Sequence, residues 1–251
     1  MTGNFPVGEI FAGTSGWAYA SWRPRFYPAK LASANFLAHY ATRLNSVEVN
    51  YTFRSQLTRK LLSEWIAATP PHFIFAVKAH QSISHIKRLR GAARQTAKFL
   101  KSLEPLRAAG KLGPVLFQLP PNFKCDVARL DDFLATLPGH TRAAMEFRHA
   151  SWFVDEVFER LGRANVALCQ AESDKLETPD VATADFCYLR LRKAKYPPAA
   201  RKKIAIRVAE ASQRGDVFAY FKHEDSPQGA LYAENLISIR TQTAINAEES
   251  A

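Results

Sequence analysis

The chain has 251 residues, of which 47% are hydrophobic and 23% are charged. This composition excludes a disordered chain, a collagen-like fibre and a disulfide-stabilised miniprotein, and it permits one large domain. Thirty-four Lys and Arg against 23 Asp and Glu give a net charge of +11, which favours anionic partners such as nucleic acid or phosphorylated metabolites.

The cysteines and the hydropathy pattern predict a cytoplasmic protein. Cys125, Cys169 and Cys187 are odd in number and widely separated, so they form neither a disulfide framework nor a metal-binding CxxC pair. The first ten residues lack the basic and apolar regions of a signal peptide, and no apolar run is long enough to span a bilayer. We therefore expect no membrane partner.

Short β-rich apolar segments alternate along the chain with segments of helical periodicity. Strands are predicted at 9–13, 46–51, 73–78, 114–119, 142–147, 165–170, 186–191 and 216–221. Helices are predicted at 34–44, 56–68, 92–108, 131–137, 153–161, after Pro197 and Pro198 within 195–214, and at 234–243. Residues 172–185 read as an extended loop with at most a short helix, and 244–251 as a polar tail.

Eight strands alternating with covering segments predict an α/β fold, a single (β/α)8 TIM-type barrel over residues 1–243. The glycines at Gly13 and Gly16 match neither a dinucleotide fingerprint nor a P-loop, so they read as a strand-to-loop turn. No nucleotide cofactor is expected.

Polar side chains recur at the carboxyl ends of the predicted strands, where barrels carry their active sites. Because alternate strand residues share a face, one orientation turns the following residues inward together: Glu48, Asn50, Lys78, His80, Gln118, Glu146, Arg148, Gln170, Glu172, Arg190, Arg192, Tyr220 and Lys222. Buried charges are costly unless they are paired or face a cavity, so the pattern predicts a polar mouth.

The charges of this mouth do not cancel. Five cations (Lys78, Arg148, Arg190, Arg192 and Lys222) stand against three carboxylates (Glu48, Glu146 and Glu172), so the mouth is cationic and suits an anionic ligand. The alternative is that these residues form ion pairs that fill the barrel end and bind nothing.

Other chemistries fit the sequence less well. A divalent metal is possible but not favoured, because His80, His149 and His223 show no ligand spacing and the cations would repel it. Ser15 lacks the G-x-S-x-G context of a hydrolase nucleophile.

Aromatic residues flank the predicted mouth. Trp17 belongs to an aromatic and arginine-rich loop after the first strand, which either walls a pocket or anchors the loop by packing. Trp152 follows the fifth strand and caps either the pocket or the next helix.

The chain resembles the YecE-like family, known as domain of unknown function 72. The resemblance lies in GTSGW at 13–17, NSVEVN at 45–50, FAVK at 75–78, LGPVLFQLPP at 112–121 and EFRHASWF at 146–153. It implies a TIM-type barrel and brings no settled reaction. Arg192-Lys193 and Lys222-His223 depart from the family pattern of His-Gly and an Asn pair, and both changes add positive charge to the mouth.

These observations lead to one main hypothesis, an enzyme acting on a phosphorylated or otherwise anionic small molecule. Glu48 or Glu146 would be the general base, and Lys78 and Arg148 would stabilise negative charge. The ligand would be held by Asn50, Gln118, Arg148, Arg190, Lys222, Trp17 and Trp152. The alternatives are a nucleic-acid-binding or nucleic-acid-processing barrel and a noncatalytic ligand sensor or scaffold.

Overall fold

A computed structural model describes residues 7–172, 176–222 and 224–248 of the chain. Eight parallel strands form a single sheet in the order β1-β8-β7-β6-β5-β4-β3-β2. Their bounds are Ile10–Thr14 (β1), Ser46–Val49 (β2), Ile74–Lys78 (β3), Leu112–Gln118 (β4), Ala143–Glu146 (β5), Ala167–Glu172 (β6), Phe186–Leu191 (β7) and Asp216–Phe221 (β8). All eight predicted strands are confirmed.

The sheet curls until its two edge strands meet. A parallel bridge joins Ser15 to Glu48, and the Gly16 amide donates to the Glu48 carbonyl at 2.9 Å. A Cβ atom at Gly13 would lie 1.9 Å from the Ser46 carbonyl oxygen, so a side chain there would force β1 and β2 apart. With this junction the sheet is a (β/α)8 barrel, as predicted.

Helices cover the outside of the barrel. They are Phe36–Tyr40 (α1), Arg59–Ala67 (α2), Ala93–Ser102 (α3), Glu104–Ala108 (α4), Val127–Leu134 (α5), Asp155–Arg163 (α6), Pro198–Ser212 (α7) and Gln228–Glu248 (α8). Side-chain N-caps stabilise two of them. The Thr58 side chain accepts from the Leu61 amide at the start of α2, and the Asp126 side chain accepts from the Arg129 amide at the start of α5.

The bounds of α1, predicted at 34–44, and of α5, predicted at 131–137, differ by up to four residues at one end, and two other helical segments differ more. The helix predicted at 92–108 is two helices that meet at Leu103, because Pro105 has no amide hydrogen with which to continue the ladder. The last helix was predicted at 234–243, but α8 runs from Gln228 to Glu248, so residues 244–248 are helical and not an irregular tail. The described part of the 172–185 loop, residues 176–185, contains no helix.

Side chains form two apolar regions. The larger one lies between the strands and the helices, and it includes large side chains such as Trp22, Phe75 and Trp152. The smaller one fills the inside of the barrel with Leu116, Cys169, Tyr188, Phe218, Tyr220 and several alanines. Because the interior is filled by packed side chains, the inward-pointing charged side chains Glu48, Lys78, Glu146 and Arg190 lie towards its carboxyl-terminal end.

Candidate active site

Arg190 lies at the centre of the carboxyl-terminal end of the barrel, between two glutamates. Its Nη2 atom donates to Glu48 Oε1 at 2.7 Å, and its Nη1 atom donates to Glu146 Oε2. The three side chains come from β7, β2 and β5 and are at most 2% exposed. Arg190 therefore holds two buried carboxylates that would otherwise be uncompensated.

Glu48 accepts further hydrogen bonds from three neighbours. Ser15 Oγ and Asn50 Nδ2 donate to Oε1 at 2.7 and 3.1 Å, and the Tyr188 hydroxyl donates to Oε2 at 2.8 Å. Burial alone would raise the pKa of Glu48, but the Arg190 guanidinium, the hydrogen bond from Ser15 and the charge of Arg192 outweigh it and lower the pKa to about 2. Glu48 is therefore an anion near neutral pH, and both of its oxygens accept hydrogen bonds.

Glu146 connects to Lys78 through Gln118. Gln118 Nε2 donates to Glu146 Oε2 at 2.8 Å, and its Oε1 accepts from Lys78 Nζ at 2.7 Å. Burial opposes ionisation of Glu146, yet Arg190, Arg192 and Arg148 together hold its pKa below the ordinary value. Five of the predicted residues thus form one continuous network: Glu48, Arg190, Glu146, Gln118 and Lys78.

Lys78 differs from the other cations of the network. Its Nζ lies 4.1 Å from the centre of the Phe53 ring, and the residue is only 9% exposed. Burial, followed by repulsion from Arg190, lowers the pKa of Lys78 to about 8. Lys78 can therefore give up and take back a proton near neutral pH.

Three cations lie at the rim of the network. Arg148 is 35% exposed and contacts Glu146 Oε1 at 3.4 Å, and Lys222 lies 3.5 Å from Glu224. Arg192 Nη1 is buried and has no hydrogen-bond partner among the described residues. Excluding the Lys222–Glu224 pair, four cations (Lys78, Arg148, Arg190 and Arg192) stand against Glu48 and Glu146, which leaves an excess of two positive charges.

His85 belongs to the same end of the barrel and was missed by sequence reasoning. It lies in a π-helical turn, Ser82–Ile86, after β3, and its ring meets the Phe53 ring edge-on at 4.8 Å. Burial and the nearby charges of Lys78 and Arg148 lower the pKa of His85. Strand parity could not find His85 because it lies in a loop. The one feature of the sequence that could have indicated His85 is its position in the basic segment that follows the predicted strand 73–78.

The prediction for the sixth strand is wrong. Gln170 and Glu172 face outward, where Arg207 of α7 donates to Gln170 Oε1 at 2.6 Å and lies 3.5 Å from Glu172 Oε1. Cys169 and Ala171 face the interior instead. Small inward residues on β6 leave room for the long side chains of Arg190 and Glu146. Tyr220 of β8 is inward as predicted, since its hydroxyl lies 2.7 Å from Ser46 Oγ.

The two tryptophans have different surroundings. Trp17 is half-buried beside a cavity and packs edge-on against Trp65 at 5.2 Å. Trp152 is fully buried, stacks on Phe147 at 4.6 Å and donates from Nε1 to the Phe123 carbonyl at 2.7 Å. Trp152 therefore packs the core and presents no surface to a ligand at the mouth, contrary to its predicted role.

The histidines considered as metal ligands contact neighbouring serines. His80 Nδ1 and His149 Nδ1 lie 2.9 Å from Ser82 Oγ and Ser151 Oγ, and His223 lies outside the described residues. In the described ranges, no three or more His, Cys, Asp or Glu side chains are grouped so that they could hold a metal ion. Over the same ranges, no helix is both long and apolar enough to cross a bilayer.

The chain is similar to proteins from several bacteria. It is 32% identical to UPF0759 protein YunF of Bacillus subtilis (strain 168) over 158 residues, which span 60% of this chain and 55% of the relative. It also aligns with the crystal structure of a DUF72 family protein from Thermotoga maritima MSB8, with a TM-score of 0.83 and 25% identity. The alignment covers 93% of this chain and 99% of the Thermotoga chain.

Another crystal structure, of a DUF72 family protein from Enterococcus faecalis V583, shares the fold. The alignment covers 95% of this chain and 98% of the Enterococcus chain, with a TM-score of 0.72 and 20% identity. The family model described as "Protein of unknown function DUF72" matches residues 11–250, nearly the whole chain. The resemblance found in the sequence motifs is therefore confirmed, and this chain belongs to the DUF72 family.

Proposed function

We propose that this protein is an enzyme that acts on a phosphorylated or otherwise anionic small molecule at the carboxyl-terminal end of the barrel. The observation that carries the proposal is the unbalanced charge of the site. Both terminal nitrogens of Arg190 donate to Glu48 and Glu146, whereas Arg148 makes one long contact with Glu146 and Arg192 Nη1 has no hydrogen-bond partner among the described residues, so these two rim guanidinium groups still have donors for an anion. An anion bound there would complete the pairing of these cations.

In this proposal Lys78 transfers the proton. A general base works best when its pKa lies near the working pH, and the pKa of Lys78 is about 8. Glu48 is a poor candidate, because its pKa is about 2 and four donors already occupy its oxygens. We therefore assign Glu48 and Glu146 to positioning Arg190 and Gln118, and not to the role of general base expected from the sequence.

Gln118 would orient Lys78. Its amide carbonyl accepts from Lys78 Nζ, and its amide nitrogen is fixed by Glu146, so the position of Nζ depends on a buried carboxylate. His85, which contacts the same Phe53 ring as Lys78, would be the second group able to exchange a proton with the substrate. This arrangement suits a hydrolase, lyase or isomerase that needs proton transfer beside an anionic group.

Binding of inorganic phosphate tests the anion part of the proposal. Phosphate at about 100 times its dissociation constant should raise the free energy of unfolding by roughly 2.7 kcal/mol. Arg148→Ala and Arg192→Ala should each weaken binding about tenfold, measured by calorimetry at fixed salt. Arg163→Ala is the matched control, because Arg163 is an exposed arginine at the end of α6.

The outcome also separates the alternatives. Equal phosphate affinity in Arg148→Ala, Arg192→Ala and Arg163→Ala would refute an anion site at the mouth. Binding confined to oligonucleotides, rising with their length and falling steeply with salt, would favour the nucleic-acid hypothesis. Phosphate binding without turnover of any phosphorylated or carboxylated compound, in wild type and in Lys78→Met alike, would favour a ligand sensor.

A further inference from the structure

A cavity of about 440 Å³ lies beside the polar network, between the loop after β1, the end of β2 and helix α2. Its walls are mainly apolar and aromatic, formed by Trp17, Tyr51, Leu61 and Trp65. This volume falls within the range of roughly 300–1,000 Å³ that is typical of small-molecule sites. The polar network accounts for none of these four side chains.

The cavity has flat and well-fixed walls. Trp17 and Trp65 meet edge-on at 5.2 Å, and Trp65 is held in turn by stacking on Phe75 at 5.7 Å with an interplanar angle of 17°. Tyr51 forms an open side of the cavity and is 56% exposed. Aromatic walls fixed in this way can receive a flat ring by edge-to-face or offset contact without reorganising.

Two residues that line the cavity are hydrogen-bonded to the network. Ser15 and Asn50 line the cavity, and both donate to Glu48 Oε1, at 2.7 and 3.1 Å. Each of them thus gives one hydrogen to Glu48, while Asn50 Oδ1 is buried and has no hydrogen-bond partner among the described residues, and none of the described side chains that line the cavity is charged. A ligand group bound in the cavity would be uncharged, while the cations that could take a negative group, Arg148 and Arg192, follow the carboxyl ends of β5 and β7.

The geometry points to a substrate with two parts, an aromatic ring seated in this cavity and an anionic group bound by Arg148 and Arg192. This inference rests on the proposed function and narrows its substrate class from any small anion to an aromatic anion. The ring would contact Trp17, Tyr51 and Trp65, and Leu61 would close the inner wall. The anionic end would face Lys78.

Four probes test the two parts separately by calorimetry: phenyl phosphate, cyclohexyl phosphate, inorganic phosphate and phenol. We expect phenyl phosphate to bind at least tenfold more tightly than inorganic phosphate and several-fold more tightly than cyclohexyl phosphate. Phenyl phosphate should also change tryptophan fluorescence, because Trp17 and Trp65 line the cavity whereas Trp22 and Trp152 are fully buried.

Substitutions in the cavity wall test whether the tighter binding of phenyl phosphate depends on the cavity. Tyr51→Ala removes an exposed wall, and Leu61→Trp fills the space, so both should shrink the advantage of phenyl phosphate over inorganic phosphate. Ile206→Ala is the control, since it also shortens a half-exposed apolar side chain but lies on α7. Arg148→Ala should weaken phenyl phosphate and inorganic phosphate by the same factor.

Each contrary result has a distinct meaning. Equal binding of phenyl phosphate and inorganic phosphate, both dependent on Arg148, would overturn the aromatic class and leave the proposed function standing. Equal binding of phenyl and cyclohexyl phosphate would overturn the ring requirement. Phenol binding as tightly as phenyl phosphate would overturn both the inference and the anion site. Affinity that increases with the length of a single-stranded oligonucleotide would replace the small molecule by a nucleic acid.

Discussion

Two clusters of carboxylates, amides and arginines lie at the ends of strands in this barrel, one inside and one outside. The inner cluster is Glu48, Arg190, Glu146 and Gln118, and its ion-paired side chains are at most 2% exposed. The outer cluster is Gln170, Glu172, Asp180 and Arg207, where the Arg207 side chain is 24% exposed and that of Asp180 is 63% exposed.

The same residue types therefore carry different energies in the two clusters. Inside the barrel, each charge has been removed from water, and it is stable only while its partner is present. Outside, Arg207 and Asp180 stay in contact with water when a pair opens, and Glu172, whose side chain is only 10% exposed, has a second cation in Lys193 at 3.8 Å, so each pair contributes less. The inner cluster can tune the pKa of Lys78, whereas the outer cluster attaches α7 to β6.

Arg190→Met should have the largest effect. It leaves two buried carboxylates without their shared cation, which should lower the free energy of unfolding by about 3–5 kcal/mol. Urea unfolding measures the loss.

Because Arg190→Met alone could prevent folding, the double variant Arg190→Met/Glu48→Gln provides a second test. Removing one of the uncompensated carboxylates should recover part of the stability. If the double variant is less stable than Arg190→Met by the full effect of Glu48→Gln in the wild-type background, the buried charges are not coupled.

Acid should unfold the wild-type protein through the same cluster. The pKa of Glu48 is about 2 in the folded protein, below its ordinary value of 4.5, so its ionisation stabilises the fold above pH 4.5. That contribution, on the order of 3 kcal/mol, should be lost as the pH falls from 4.5 towards 2. Thermal unfolding of Glu48→Gln across this range should show a shallower dependence on pH, and an unchanged slope would contradict the assignment.

A smaller effect is expected from Lys78. Sulfate keeps its charge between pH 7 and 9, so its affinity should fall as Lys78 loses its proton near pH 8, by about tenfold or ~1.4 kcal/mol. Burial of Lys78 lowers this pKa most. The charges of Arg190 and Arg192 lower it further, and those of Glu146 and Glu48 raise it. Calorimetry with Lys78→Met should give a weak affinity that is flat over the same range. A similar fall in Lys78→Met would place the titrating group elsewhere.

Arg207→Met should have the smallest effect. Asp180 remains exposed to water, the buried Glu172 keeps Lys193 and the buried Gln170 keeps Cys187 as a neighbour, so we expect a loss of about 1 kcal/mol in the free energy of unfolding. Phosphate binding should be unchanged. A loss as large as that of Arg190→Met would show that exposure does not distinguish the two clusters.

Much of the fold could be predicted because each strand is a short apolar segment between turn residues. The bounds of β7 and β8 agree with the prediction at both ends, 186–191 and 216–221. Helix ends were harder to predict. The break at Leu103 depends on one missing amide hydrogen, and the length of α8 depends on packing against β1, a contact between opposite ends of the chain.

The candidate site was predictable where strand parity applied, and it was missed elsewhere. Glu48, Lys78, Gln118, Glu146 and Arg190 all come together as their shared parity indicated. On β6, parity could not tell an inward glutamine from an outward one, because the deciding partner, Arg207, lies 37 residues away in sequence. Burial of Trp152 likewise depends on Phe123 and Phe147, from two different segments.

The junction between β1 and β2 has a further consequence. The backbone of Glu48 closes the barrel through the Gly16 amide, while its side chain belongs to the buried ion network. Glu48 therefore takes part both in the closure of the barrel, together with Asn45 and Tyr40, and in the charge network at its centre. The rate of hydrogen–deuterium exchange at the Gly16 amide would consequently report local opening of the junction between β1 and β2. The protection of this amide should vary with the protonation state of the network residues.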